Sequence, residues 1–143
     1  MESYVGGQIK KSPFASKRPI QSSVVAVLQL EMKDRGLHLI EPRSRALRKN
    51  EIHELIVTEE KEAHPGKIVN QVAYLAFVEI TQGGVIIIGD EIYWKKHLLG
   101  VVAGFDNTHM PNHQNIVLFS SNKSTGKDLN IQLGDHIFIQ TKK

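Results

Sequence analysis

The chain has 143 residues, of which 41% are hydrophobic and 23% charged, with no cysteine and a formal net charge of +3. That is one domain's length in a globular composition, which excludes a disordered polymer, a disulfide-stapled scaffold, thiolate metal sites and cysteine nucleophiles. No apolar run reaches the roughly 18 residues that read as a membrane span, and the N-terminus lacks the apolar core of a secretory signal, so a soluble, cytoplasmic protein without membrane insertion is expected.

The positive charge is concentrated at one end. Residues 1–23 carry Lys10, Lys11, Lys17 and Arg18 against Glu2, whereas the other 120 residues carry 14 basic and 14 acidic side chains. This first stretch also holds a Gly pair, two prolines and five serines, so it presents no face for burial and is expected to form an extended basic arm. The barrel-forming domain is then placed at 24–143. A balanced body with three Tyr, five Phe and one Trp offers no aromatic platform over a basic groove, and nucleic acid is not an expected partner.

In chain order, Val24–Leu30 is rich in β-branched residues and short enough for a buried strand. A turn at Lys33–Gly36 leads to a second strand, Leu37–Ile40, which Pro42 closes. The next segment concentrates Arg43, Arg45, Arg48 and Lys49 and reads as a solvated loop, with guanidinium forks able to hold an anion. Ile52–Thr58 is a third strand. After an acidic run, Pro65 precedes Ile68, Val69, Val72 and Ala73 at helical spacing, which predicts one short helix from Pro65 to Ala73. Strands are predicted again at Tyr74–Ile80, Val85–Ile88, Ile92–Trp94, Leu98–Ala103, Ile116–Phe119 and within Leu129–Gln140. About eight short strands, one short helix and frequent turns argue for a mainly β, small single-domain β-barrel.

The stretch Gly83–Phe119 organises the rest, because it alternates short β runs with Gly, Asp and Asn breaks and ends in a dense group of potential ligands. Asp106, Asn107, His109, Asn112 and His113 fall within eight residues. The i, i+4 histidines resemble a helical zinc pair, but Pro111 between them breaks a regular helix, so they converge only if the loop itself folds that way. His97 follows Lys95 and Lys96, where fixed positive charge favours a phosphoryl group. His38, His53 and His136 sit inside strand patterns and read as satisfied, half-buried imidazoles. Nucleophile elbow, Walker and dinucleotide motifs are absent from the sequence, and Ser124–Lys127 lacks the upstream glycine of a phosphate loop.

Several segments in order resemble the IIA component of the glucitol/sorbitol-specific phosphotransferase system. They are LIVT at Leu55–Thr58, the Pro65 segment, IIGDEIYWKKHLLGVVAGFDN with Gly89, Tyr93, Gly100, Val102, Ala103 and Asn107, then HQNIVLF at His113–Phe119 and the closing LGDHIFI. The resemblance implies a β-barrel phosphocarrier whose histidine lies on the strand after the short helix. Here that strand is YLAFVEI, which contains no histidine, so the resemblance implies the fold without the site.

The expectation from sequence is therefore a non-catalytic ligand-binding or protein-interaction barrel. Its ligand site is placed at Asp106, Asn107, His109 and His113, with Arg43, Arg45 and Arg48 as an anionic complement and no resident metal or cofactor assigned. The alternatives are a phosphocarrier that uses another histidine, His97 or His113, and a metal-dependent enzyme built on Asp106, His109 and His113. A homodimer is a further expectation, since pairing would hide an open strand edge.

Overall fold

The computed structural model describes residues 17–142, together with the backbone of two short strands, Tyr4–Val5 and Gln8–Ile9, which pair antiparallel. The rest of the expected N-terminal arm lies outside the described residues. Residues 17–142 contain twelve strands: β1 (Ile20–Val27), β2 (Glu31–Met32), β3 (Leu37–His38), β4 (Ser44–Leu47), β5 (Ile52–Thr58), β6 (Ile68–Val69), β7 (Val72–Gln82), β8 (Gly84–Ile87), β9 (Glu91–Trp94), β10 (His97–Asp106), β11 (Gln114–Phe119) and β12 (His136–Gln140).

Seven of these close a barrel in the order β1-β12-β9-β10-β11-β5-β7, with β7 returning to pair with β1. Every neighbouring pair is antiparallel except β11–β5, which runs parallel. Closure removes the sheet edges that would otherwise expose unpaired backbone. Inside, alternate residues from each strand meet in one core that includes Ile20, Leu55, Leu75, Ile92, Phe105, Ile116, Leu118 and Ile137, all essentially without solvent exposure.

A second, smaller core lies on the outer wall. Leu37 and Leu39 around β3 and Val69 of β6 pack on Ile56, Val72, Tyr74 and Val117, so the β3–β6 ribbon forms a flap over β5, β7 and β11. Gly104 on β10 permits the close approach, since a Cβ there would come within 2.9 Å of Leu39 Cδ1. Backbone bonds fasten the flap: Ile40 N–H donates to Phe105 O at 2.8 Å and Leu39 N–H to Lys67 O at 2.9 Å. A further ribbon of β4 and β8 contributes Leu47 and Ile86 to the barrel core.

Three expectations change. The described residues contain no helix. The segment assigned to one makes turns through Gly66, which adopts φ +90°, then β6, then the start of β7. Ile68, Val69, Val72 and Ala73 fit helical spacing, but the same spacing arises when two strand ends flank the turn at Asn70–Gln71, whose backbone N–H groups both donate to Glu60 Oε2. The arginine-rich segment is also not a loop, because Ser44–Leu47 pairs with β8. Finally, the barrel begins at Ile20 rather than 24: Ser22 is fully buried and its hydroxyl donates to Ile137 O at 2.9 Å. Lys17, assigned to the extended arm, is buried against Asp90 at 2.7 Å.

Candidate functional site

Strand register places a row of polar residues on the outer wall beside the flap. Phe77 of β7 pairs with Glu54 of β5, Glu54 with Asn115 of β11, and Asn115 with Asp106 of β10. Over this row lies the loop between β10 and β11. A backbone bond from His113 N–H to His109 O at 3.3 Å closes the loop into a turn despite Pro111. The turn brings the two imidazole rings to 4.9 Å between centroids, and the His113 ring stands perpendicular to Phe77 with centroids 5.0 Å apart.

Asp106 is fixed in a supporting role. Its buried carboxylate accepts from His38 N–H at 3.0 Å, Thr108 N–H at 2.9 Å and Asn115 Nδ2 at 3.0 Å, so it joins flap, loop and wall. The carboxylate that joins the two histidines is Glu54, which the sequence reading did not select. Glu54, His109 and His113 each place a ligand-capable atom within 4.8 Å of the others. Glu54 is only 7% exposed, and the one hydrogen-bonding partner of its side chain among the described residues is His113 Nε2 at 3.4 Å. Beside it in the row, Asn115 Oδ1 is buried and has no partner among the described residues.

His113 stands between two oxygen-bearing side chains: its Nδ1 lies 2.8 Å from Asn112 Oδ1 and its Nε2 lies 3.4 Å from the Glu54 carboxylate. Arg35 flanks the same cluster. Its Nε donates to Tyr74 Oη at 2.7 Å, and Nη2 lies 3.4 Å from His109 Nε2. Burial, against the opposing influence of Arg35, raises the Tyr74 phenol above its ordinary value and keeps it a neutral hydroxyl.

The expected arginines divide. Arg45 reaches Gln114 Oε1 at 2.8 Å and lies 3.6 Å from Glu51. Arg43 and Arg48 are exposed, and their described hydrogen bonds are through the main chain, from Ile88 N–H to Arg43 O and from Arg48 N–H to the Glu51 carboxylate. Asn107 accepts from Gln114 Nε2 at 2.7 Å. A cavity of about 370 Å³ lies between Arg45, Glu51, His53, Pro111 and His113. In it, burial and the Arg45 charge push the His53 imidazole below its usual value, against the hydrogen bond of Glu51 at 2.9 Å. Burial alone would raise Glu51, but hydrogen bonds from His53 and Arg48 N–H, with the charge of Arg45, hold it lower.

The other histidines separate by position. His53 is buried, while His38 and His136 are exposed rather than half-buried. His97 is exposed beside Trp94, at the opposite end of β10 from the cluster.

Fold and site together define a closed seven-stranded β-barrel with a flap and a histidine–carboxylate cluster at the flap's margin. The chain belongs to DUF6917, a family of unknown function whose profile matches residues 14–140. No curated protein and no solved structure gives a significant match.

Proposed function

We propose that this protein is a metal-binding β-barrel that holds one divalent transition-metal ion between Glu54, His109 and His113 and uses the ion's open positions to capture a ligand. The observation that carries this reading is the approach of the three ligand atoms to within 4.8 Å of one another on the wall beneath the loop. For metal–ligand bonds of about 2.0–2.1 Å, neighbouring ligands of a tetrahedral ion stand about 3.4 Å apart. The His113–Glu54 separation is 3.4 Å. Two imidazoles favour zinc, iron, nickel or copper over calcium or magnesium. Three protein ligands leave a position for an outside molecule, which gives the expected ligand-binding barrel a mechanism of binding.

Elemental analysis after dialysis against zinc, with wild type beside a variant carrying both His109→Ala and His113→Ala, tests the reading. One equivalent of metal in the wild type and none in the variant is the expected result; equal content in both would end it.

One observation favours a second reading, a phosphocarrier that uses His113. Its ring lies perpendicular to Phe77, on the strand where the phosphotransferase resemblance implies the histidine, and Asn112 and Glu54 flank its two nitrogens. Acid-labile phosphate on His113 after incubation with a phosphorylated histidine protein of such a relay would establish that reading in place of the metal.

A further inference from the structure

Resting on the metal reading above, we infer that the ligand captured at the open metal position is a small oxyanion, received jointly by the ion and by the guanidinium of Arg35. Arg35 is half-buried, and its backbone is pinned where its N–H donates to Asn70 O at 3.1 Å. The Nε–Tyr74 bond at 2.7 Å orients the guanidinium plane, and Nη2 stands 3.4 Å from a histidine of the cluster. No carboxylate among the described residues lies within 4 Å of it; the ion pairs of this wall involve other side chains.

A guanidinium held beside a metal site without its own counter-ion repels a bare cation, but it attracts an anion placed between the two. Its planar fork of N–H donors matches the paired oxygens of a carboxylate or phosphate. Tyr74 strengthens the arrangement because its hydroxyl accepts from Nε; Nη2 leans on His109 at 3.4 Å, and the Nη groups face the cluster where the ligand would sit. The tyrosine's own proton faces Met32 Sδ at 3.8 Å, a weak acceptor, so the phenol does not compete for the anion. The site thus discriminates by charge: an oxyanion satisfies both the ion and Arg35, whereas a neutral molecule of the same shape satisfies neither charge.

The test uses the full chain loaded with cobalt(II), whose visible spectrum reports changes at the metal. Inorganic phosphate, acetate and neutral acetamide are titrated against wild type, Arg35→Met and Arg35→Lys. The expected result is a saturable spectral change with phosphate or acetate and none with acetamide. In Arg35→Met the anion affinity falls at least about tenfold, in line with a lost charge-assisted pair, while cobalt affinity is not weakened, since the charge that repels the bare ion is gone. Arg35→Lys recovers part of the loss, because it restores charge without the fork. A cobalt spectrum indifferent to both anions, or identical anion titrations in wild type and Arg35→Met, overturns the inference and leaves the metal site standing. Failure of cobalt to bind, or cobalt binding that survives loss of both histidines, removes the metal reading and this inference with it.

Discussion

Replacing Glu54 with Gln isolates the contribution of the buried carboxylate. The change is isosteric, and the only hydrogen-bonding partner of the Glu54 carboxylate among the described residues is His113 at 3.4 Å. Without metal, the fold should lose no more than about 1 kcal/mol. With metal, one of three direct ligands becomes a neutral amide. Loss of an outer-shell partner alone weakens metal binding about 10–100-fold, so loss of a charged direct ligand is placed at about 100-fold or more. At a zinc concentration about 100 times the wild-type Kd, binding stabilises the wild type by about 2.7 kcal/mol, and the variant, near its own Kd, by about 0.4 kcal/mol. In a chain of this size 1 kcal/mol moves the melting midpoint by about 3–4 °C. Zinc should therefore raise the wild-type midpoint by about 8–11 °C and that of Glu54→Gln by about 1–2 °C. Scanning calorimetry across a zinc titration, with reversal by a chelator, measures both. Equal shifts in the two proteins would refute the reasoning, since they would place zinc away from Glu54.

Other consequences follow from the same structure. Phe105→Ala removes a fully buried ring from the barrel interior and should lower unfolding free energy by about 3–5 kcal/mol in urea titrations, which a partly exposed aromatic would not do. Lys17→Met leaves Asp90 buried without its cation and should destabilise by about 3–5 kcal/mol, whereas loss of an exposed arm residue would leave the urea midpoint unchanged. A Cβ at Gly126 would overlap the Leu75 carbonyl, so Gly126→Ala should destabilise by about 2–4 kcal/mol, read from thermal midpoints. Burial holds the folded-state value of His53 below its unfolded value, so the unfolded chain takes up the proton first as pH falls. The His53 contribution is therefore present above the ordinary histidine range and lost as pH drops through the folded value. Urea titrations at pH values on either side of that window should show a steeper acid loss in wild type than in His53→Gln.

How much of this was legible in the residues varies by element. Ile52–Thr58 is read residue for residue, because an apolar β-branched run between a turn and an acidic stretch has one economical solution. The loop of His109 and His113 stands out in the sequence as a candidate, since polar ligand types crowd a short non-helical stretch. Its partners do not. Glu54 lies near one end of a strand, and only the parallel register of β5 with β11 sets it beside the loop. That pairing joins segments some sixty residues apart, and nothing local encodes it. One signal was available, a lone acid next to the buried run Leu55–Val57, where an unpaired charge is costly. Arg35 carries less, because in a Lys-Asp-Arg-Gly turn it looks like any solvated arginine until the flap folds back. The helix misreading has a similar origin: the spacing at Ile68, Val69, Val72 and Ala73 is shared by two strand ends around a turn, and only long-range pairing separates the two outcomes.

The central claim is that Glu54, His109 and His113 form one metal site. A crystal of the full chain grown with zinc, with anomalous scattering recorded on both sides of the zinc absorption edge, tests it most directly. The account predicts a single strong zinc peak bonded to the two imidazoles and the Glu54 carboxylate at about 2.0–2.2 Å. An anomalous map with no zinc between these three residues, or with His113 bonded to Glu54 through a proton alone, would contradict it.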